Sequence, residues 1–379
     1  MSSAEYMKCA LSLAELARGY ASPNPSVGAV VVKDGIIVGM GYTQPAGSDH
    51  AEIMALRQAG DLARSATMYV SLEPCCHHGR TPPCTQAIIN AEISEVHIAL
   101  IDPNPAVSGR GVRELDEAGI KTYVGSQQEE AYQVNEAYVK FITTGLPFVI
   151  TKFAMSLDGK IATKTGHSKW ISNREARDFV HVLRHTVDAI MVGVNTVIAD
   201  DPQLTARCCC GKGGKAKTQP LRLIVDSKGR TPLDANVFSQ PGRTLLAAVE
   251  PLNKDTKNRL TQIGIEVLEV PGAEGKVNLP HLLEVLGASG IVSILVEGGS
   301  ELLGSLFDLK LVDKVLVFIS PIIIGGGNAK TAVGGNGVNR IVEALCLDRV
   351  EFSNFGDNIM ACGYTNTRAP KKQYVYRTG

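Results

Sequence analysis

The residues best suited to chemistry fall in three short pieces, His50-Ala51-Glu52, Pro74-Cys75 and Pro83-Cys84. Histidine nitrogen and thiolate sulfur are preferred zinc ligands, and a catalytic zinc takes three protein ligands while leaving a fourth position to water. His50, Cys75 and Cys84 supply three. The metal lowers the pKa of that water, so hydroxide becomes available near neutral pH. Glu52 stands two residues from His50, beside the metal without ligating it. It suits proton transfer from the water to a leaving amine. Cys76 competes with Cys75 as ligand, but the Pro74-Cys75 step fits the pattern and Cys76 reads as packing. His77 and His78 read either as shapers of the loop or as a substrate contact. His-x-Glu alone is common, and a cysteine after a strand is usually just buried. The ordered set carries the specificity.

Such side chains need a frame. A helix is predicted over residues 3–19. Apolar runs at 27–32 and 36–41 flank Lys33-Asp34-Gly35, a strong hairpin signal. A second helix runs from about His50 to Gly60, a residue suited to ending it. Residues 68–72 read as a buried strand, and Pro83 opens a helix through Ala91. Residues 96–101, 111–118, 121–124 and 131–143 continue as strand, helix, strand and helix. His50 and Cys84 thus sit at helix starts, whose dipoles favour thiolate and hydroxide. Alternating strands and helices imply an α/β layered domain. The helical pattern breaks at Thr143-Thr144-Gly145-Leu146-Pro147, so domains 1–145 and 146–379 are expected. Strands are predicted in the second at 148–153, 189–192, 222–226, 244–249, 265–270, 292–296 and 314–319, with helices between most. Ser172-Asn173-Arg174-Glu175 reads as a Ser-x-x-Glu capping box.

Three segments of the second half invite a ligand: Lys152 to Lys160, Asp200 to Arg207, and Val296-Glu297-Gly298-Gly299-Ser300. In the last, glycines let backbone approach a ligand, and a helix N-terminus offers free N–H groups to a pyrophosphate. It is not Gly-x-Gly-x-x-Gly, so it is no dinucleotide fingerprint by itself. The Gly-, Lys- and Cys-rich stretch from Cys208 to Thr218 reads as an exposed loop, and Gly325-Gly326-Gly327 as a turn or bulge.

A chain of 379 residues suggests about two or three domains. With 44% hydrophobic and 20% charged residues it reads as soluble and globular. Zero formal charge argues against a polyanionic partner such as nucleic acid. No apolar run reaches membrane-helix length, and residues 1–20 lack a signal-peptide pattern, so no membrane association and a cytoplasmic location are expected. Nine cysteines, several adjacent, suit metal binding or burial in a reducing compartment better than a disulfide framework.

The zinc pieces match the general signature of zinc deaminases. Nucleic-acid and cytidine deaminases carry Pro-Cys-x-x-Cys, whereas here the spacer from Cys75 to Cys84 is longer. With Asn24-Pro25-Ser26-Val27-Gly28, that spacer resembles the riboflavin-pathway deaminases. The second-half segments resemble the reductase half of the bifunctional riboflavin biosynthesis enzymes, and the resemblance runs through nearly the whole chain in order. It implies an α/β chain with an N-terminal cytidine-deaminase-like three-layer αβα domain and then a dihydrofolate-reductase-like α/β domain. It implies Zn2+ and NADPH as cofactors, pyrimidine ribosyl phosphates as substrates, and a homodimer through the reductase half. The reactions would be deamination of a diaminopyrimidinone, then reduction of its ribose to a ribityl chain.

The resemblance also implies site residues. Asn24 would hydrogen-bond the pyrimidine; on turn chemistry alone it is a residue between two prolines. Ala154, Trp170, Thr196, Asp200, Ser227, Gly298, Gly299, Ser300, Glu301, Leu302 and Leu303 would meet NADP. Ser168, Arg184, Leu204, Arg207 and Glu297 would meet substrate, with arginine suiting the phosphate. Trp170, the single tryptophan, reads otherwise as core packing. Hydride transfer to the opened sugar needs a general acid, for which Lys152 and Asp200 are the candidates. Two other readings compete. A nucleic-acid deaminase with an accessory domain conflicts with the zero charge and long spacer. A structural zinc module needs a fourth protein ligand, from Cys76 or His77.

Overall fold

Asp34 and Gly35, with φ of 51° and 77°, turn strand β1 (Gly28–Lys33) back into β2 (Ile36–Tyr42). Two positive φ values are what a tight hairpin with the right-handed twist of its strands requires. This is a computed structural model, and it describes residues 1–77, 82–207 and 219–365. His78 and the stretch read as an exposed loop at Cys208 to Thr218 lie outside the described residues. The chain divides into two compact units, Met1–Leu146 and Pro147–Gly379.

In the first unit, α1 (Ser3–Ala17) precedes the hairpin. Then follow α2 (Ala51–Ala59), β3 (Thr67–Val70), α3 (Cys84–Asn90), β4 (Glu95–Ile98), α4 (Arg110–Glu117), β5 (Lys121–Val124) and α5 (Gln128–Thr144). The sheet order is β2-β1-β3-β4-β5. β1 runs antiparallel to β2 and β3, while β3, β4 and β5 are parallel. α1 packs on β1 and against α5, whereas α2 packs on β2 and beside α3. Val30, Val31, Met68, Val70, Val96, Ile98 and Leu115 fill the space between the layers, all fully buried. Each such side chain contributes roughly 1.5–3 kcal/mol relative to exposure. α2 comes down on β2 at Gly41, where a Cβ would lie 2.2 Å from the Ala51 carbonyl oxygen. Only glycine permits that approach, and it fixes the start of α2 over the sheet.

The second unit is a sheet of nine strands in the order β10-β9-β8-β7-β13-β6-β14-β16-β15. Its elements are β6 (Phe148–Ser156), α6 (Arg174–His185), β7 (Ala189–Gly193), α7 (Val194–Asp200), β8 (Leu221–Val225), β9 (Thr244–Val249), α8 (Lys254–Gln262) and β10 (Glu266–Val270). After these come a two-residue ribbon of β11 (Gly272–Ala273) and β12 (Lys276–Val277), α9 (Leu279–Ala288), β13 (Ser293–Val296), α10 (Ser300–Asp308), β14 (Lys314–Ser320), β15 (Leu347–Phe355) and β16 (Asn358–Thr365). Strands β10 through β14 pair in parallel, and β16 and β15 add an antiparallel edge. All seven strands expected from the sequence are present. The β15–β16 pair was not expected: β15 is exposed along nearly its whole length, so no buried face imposes an apolar pattern on it. The predicted cap of α6 also shifts by one residue. Asn173, not Ser172, is the N-cap, its Oδ1 accepting the Ala176 N–H at 2.9 Å. Its amide nitrogen also donates to the Phe355 carbonyl at 2.6 Å, a bond serine cannot make, and so ties the helix to the edge hairpin. No helix among the described residues is long and apolar enough to cross a membrane.

Candidate active sites

α2 takes His50 as its N-cap without a capping bond from the imidazole, which turns to the thiols of Cys75 and Cys84. Pro83 is the N-cap of α3, so Cys84 opens that helix, and Cys75 lies on the turn beyond β3. The three ligand atoms lie within 4.8 Å of one another. His50 Nδ1 is 3.2 Å from Cys84 Sγ and 3.6 Å from Cys75 Sγ. A tetrahedral zinc with ordinary bond lengths separates a nitrogen and a sulfur ligand by about 3.6 Å, so these residues fit the ion. Among the described residues the group is limited to these three; Cys76 Sγ instead lies 3.9 Å from the Ala106 carbonyl oxygen. A catalytic arrangement fits this set better than a closed structural one.

The protons of the site are shared. A hydrogen bond with Cys84 pushes Cys75 down to about 4, and the same bond with burial pushes Cys84 up. The hydrogen bond with Cys75 raises His50. Two thiols and an imidazole so close, one thiolate already favoured, are the donor set a dication replaces protons on. Glu52 is 4% exposed, and burial lifts its carboxyl to about 7, with the Cys75 charge adding to the rise. The segment bearing Asn24 leads into β1, whose Gly28 N–H donates to Ser71 Oγ at 3.0 Å just past β3. His77 is described, outside the ligand group.

In the second unit several candidates lie at or beyond the C-terminal ends of parallel strands, Ala154 on β6, Thr196 on α7 after β7, Ser227 after β8 and Glu297 to Ser300 after β13, the end where parallel sheets bind ligands. Lys152 lies on β6, its Nζ 5.7 Å from the Phe318 ring centre, and burial lowers its pKa. Arg184 on α6 and Glu297 after β13 form a bidentate pair at 2.5 and 2.9 Å. The third arm of Arg184 donates to the Thr205 carbonyl at 2.9 Å. The two expected substrate residues therefore occupy each other, and Arg207, exposed and bonded to Gln203 at 2.5 Å, is the arginine turned to solvent. Leu204 is buried with φ of 50°. Ser168 donates to Asp200 at 2.7 Å, which joins one of the two expected general acids to an expected substrate residue. Trp170 corrects one reading: it is 70% exposed, with the Arg177 guanidinium 4.6 Å from its ring, and is not core packing.

The β13–α10 turn has the form of a phosphate cradle. Gly298 and Gly299 have φ of 99° and 91°, and a Cβ on Gly299 would lie 3.2 Å from Thr196 Oγ1. A side chain there would fill the space before Ser300 and Glu301, the first turn of α10. Leu302 and Leu303 are buried, and the Leu303 N–H already donates to the Gly299 carbonyl at 2.9 Å, so of the two only the Leu302 backbone N–H can face a ligand. These features fit the pyrophosphate of a dinucleotide. Ala154 sits on β6 opposite Phe318, and Ser227 Oγ, just past β8, accepts the Val277 N–H at 3.1 Å.

Sequence reasoning passed over several organising residues. Asp158 accepts the N–H groups of Ile324 and Gly325 at 3.0 and 2.7 Å, which pins the glycine turn to the β6 loop. Glu73, Asp102 and Tyr138 form a buried polar network in the first unit, and Asn135, buried on the same helix as Tyr138, bonds to Ser26. Only the Asp102-Pro103-Asn104-Pro105 turn after β4 offered a sequence signal.

Comparison with known proteins places both halves. Residues 1–100 match the cytidine and deoxycytidylate deaminase zinc-binding region, and residues 147–361 match the RibD C-terminal domain. The chain is 44% identical over 355 residues to the riboflavin biosynthesis protein RibD of Aquifex aeolicus, covering 94% of this chain and 96% of that protein. It superposes on Acinetobacter baumannii RibD with a TM-score of 0.84 at 35% identity, over 96% of this chain and 98% of that one. A Thermotoga maritima diaminohydroxyphosphoribosylaminopyrimidine deaminase/5-amino-6-(5-phosphoribosylamino)uracil reductase gives 0.81 at 35% identity, with the same coverage. The first unit thus has the cytidine-deaminase-like fold and the second the dihydrofolate-reductase-like fold of these proteins. The chain belongs to the RibD family of riboflavin biosynthesis proteins.

Proposed function

We propose that the first unit deaminates 2,5-diamino-6-(5-phosphoribosylamino)pyrimidin-4-one and that the second reduces the ribosyl group of the product to a ribityl chain. The observation that carries this is the convergence of His50, Cys75 and Cys84 within 4.8 Å, with buried Glu52 beside them. His50, Cys75 and Cys84 would hold zinc, which when bound supplies the Lewis acidity that makes water nucleophilic at neutral pH. Glu52 takes the proton of the attacking water and returns it to the departing amine, a task that suits a buried carboxyl beside the ligand group. Asn24, on the segment leading into β1, orients the pyrimidine.

In the second unit the Gly298–Gly299 turn, Ser300, Glu301, Thr196, Ser227, Ala154 and Trp170 would hold NADPH, which supplies hydride when bound. Lys152 and Asp200 are the proton donors to the sugar oxygen. Lys152 is favoured because burial lowers its pKa, which makes it the readier acid. Arg207 and Ser168 hold the substrate, and the Arg184–Glu297 pair shapes the wall beside Lys152.

One incubation tests both halves. Zinc-loaded protein and the diaminopyrimidinone ribosyl phosphate are mixed with and without NADPH, and ammonia and NADPH absorbance are followed. Ammonia release without NADPH, then oxidation that depends on the released product, is expected. Ammonia with no NADPH consumption leaves a deaminase alone.

The second unit also supports a homodimer. Ile341, Val342, Leu345, Val350, Phe352 and Ile359 are exposed around the β15 edge. Apolar side chains collected at a sheet edge mark an interaction surface.

A further inference from the structure

Asn135 and Tyr138 of α5 have no part in the chemistry above, yet both are buried, at 2% and 8% exposure. They lie one helical turn apart and so share a face. Asn135 clamps the backbone of Ser26: its Oδ1 accepts the Ser26 N–H at 2.8 Å, and its Nδ2 donates to the Ser26 carbonyl at 3.0 Å. The Tyr138 hydroxyl donates to the Asp102 carboxylate at 3.0 and 3.3 Å. Asp102 also accepts the Asn104 N–H at 2.8 Å, while its own N–H donates to Glu73 at 3.2 Å. Glu73 further accepts the N–H groups of Gly109 and Val112 at 2.9 and 3.2 Å. The same segment presses on the turn that carries Cys75, since a Cβ on Gly111 would lie 2.2 Å from the Pro74 carbonyl oxygen.

One face of one helix therefore holds two loops, at Ser26 and at Asp102, and Glu73 ties Asp102 on to Gly109 and Val112, next to the Gly111 contact with the Cys75 turn. A buried polar network of this kind adds little net stability over apolar packing, and what it supplies is a single conformation. The match to the zinc-binding region ends at residue 100, so Asp102 and all of α5 lie beyond the part this chain shares with that family profile.

We propose that Asn135 and Tyr138 are positioning residues of the deaminase: α5 holds both loops in the shape that receives the pyrimidine and leaves the ligand group untouched. This rests on the deaminase reading of the first unit. The test uses the full-length, zinc-loaded protein and two variants, Tyr138→Phe, which removes one hydroxyl, and Asn135→Ala. Zinc content, ammonia-release kinetics and NADPH-dependent reduction of the deaminated product are measured for each. Full zinc, unchanged reduction, a KM raised by about tenfold and a kcat within about threefold of wild type are expected. In an Asp102→Ala background the further change Tyr138→Phe should have no effect on KM, because its action runs through that carboxylate. Wild-type KM in both variants overturns the assignment, as does a Tyr138→Phe effect that persists undiminished without Asp102. If Asn135→Ala does not fold, Tyr138→Phe and the double variant decide. No ammonia from the wild type overturns the deaminase reading itself, whereas normal ammonia from wild type and variants alike removes only the role of α5.

Discussion

Glu52 is buried beside the three ligand residues, and burial, ahead of the Cys75 charge, lifts its carboxyl to about 7. Glu52→Gln keeps the shape and a hydrogen-bonding head but cannot exchange a proton. Ammonia release should fall by about 10²–10⁴-fold with zinc content unchanged by elemental analysis. Reduction of the deaminated intermediate should survive; its loss in a folded variant would show that the two sites are not independent. Lys152 poses the opposite electrostatic case. Burial holds its folded pKa below the ordinary 10.5, opposed by Glu297, so the charged form is disfavoured in the native state. A depressed pKa means that stability is lost as pH falls from 10.5 through the folded value. Lys152→Met should therefore be more stable than wild type at pH 7, with the gap closing as pH approaches 10. Denaturant titration at the two pH values measures it, and an equal gap at both would refute the shift. The same substitution should cut reduction by about 10²-fold or more while NADPH affinity stays within about threefold.

The elements set these side chains, and α2 is the clearest case because it carries both His50 and Glu52. Gly41→Ala would put a methyl group 2.2 Å from the Ala51 carbonyl, a backbone atom that cannot swing aside. α2 must retreat, at a cost of about 1–3 kcal/mol. Zinc content and ammonia release should fall together while NADPH binding remains; full zinc occupancy in this variant would mean that the helix start tolerates the shift. Much of this frame was legible in the sequence. The Asp34-Gly35 turn, the apolar strands 148–153 and 292–296 and the helix starts at His50 and Cys84 each follow from local chemistry that tertiary contacts reinforce. So did the zinc set, since its ligands come from three nearby pieces. What was not legible depends on partners distant in sequence. Asn135 meets Ser26 across 109 residues, and nothing in α5 marks that residue as other than a polar helix position. Arg184 and Glu297 were both expected to meet substrate, and nothing in either segment shows that they pair with each other across 113 residues. Trp170, expected to meet NADP, had core packing as its alternative because large apolar residues are usually buried, and only the fold shows its ring exposed beside Arg177.

At the scale of the whole molecule, the chain joins two α/β units whose sheets solve the same problem differently. The first has short edges, β2 and β5, while the second ends in β15, nine residues long and largely exposed. That strand mixes charges at Asp348, Arg349 and Glu351 with exposed Val350 and Phe352, and an open edge of its length invites pairing with other chains unless something covers it. Ile341 and Val342, 91% and 82% exposed, and Phe352 at 71% extend the same surface. A second copy is the occupant the dimer reading assigns, with both edges covered by a two-fold contact that closes on itself. Such an interface must bury on the order of 1,200–2,000 Å² in total to be stable, which these side chains and the strand between them are placed to begin. Phe352→Asp combined with Ile341→Asp sets charges into it without touching a candidate site residue. Sedimentation equilibrium of the wild type should give twice the 40.4 kDa chain mass, and the double variant the single mass with its zinc intact. A wild type that sediments as one chain, or a variant that stays paired, places the subunit contact elsewhere or nowhere and leaves the β15 edge to be explained by another partner.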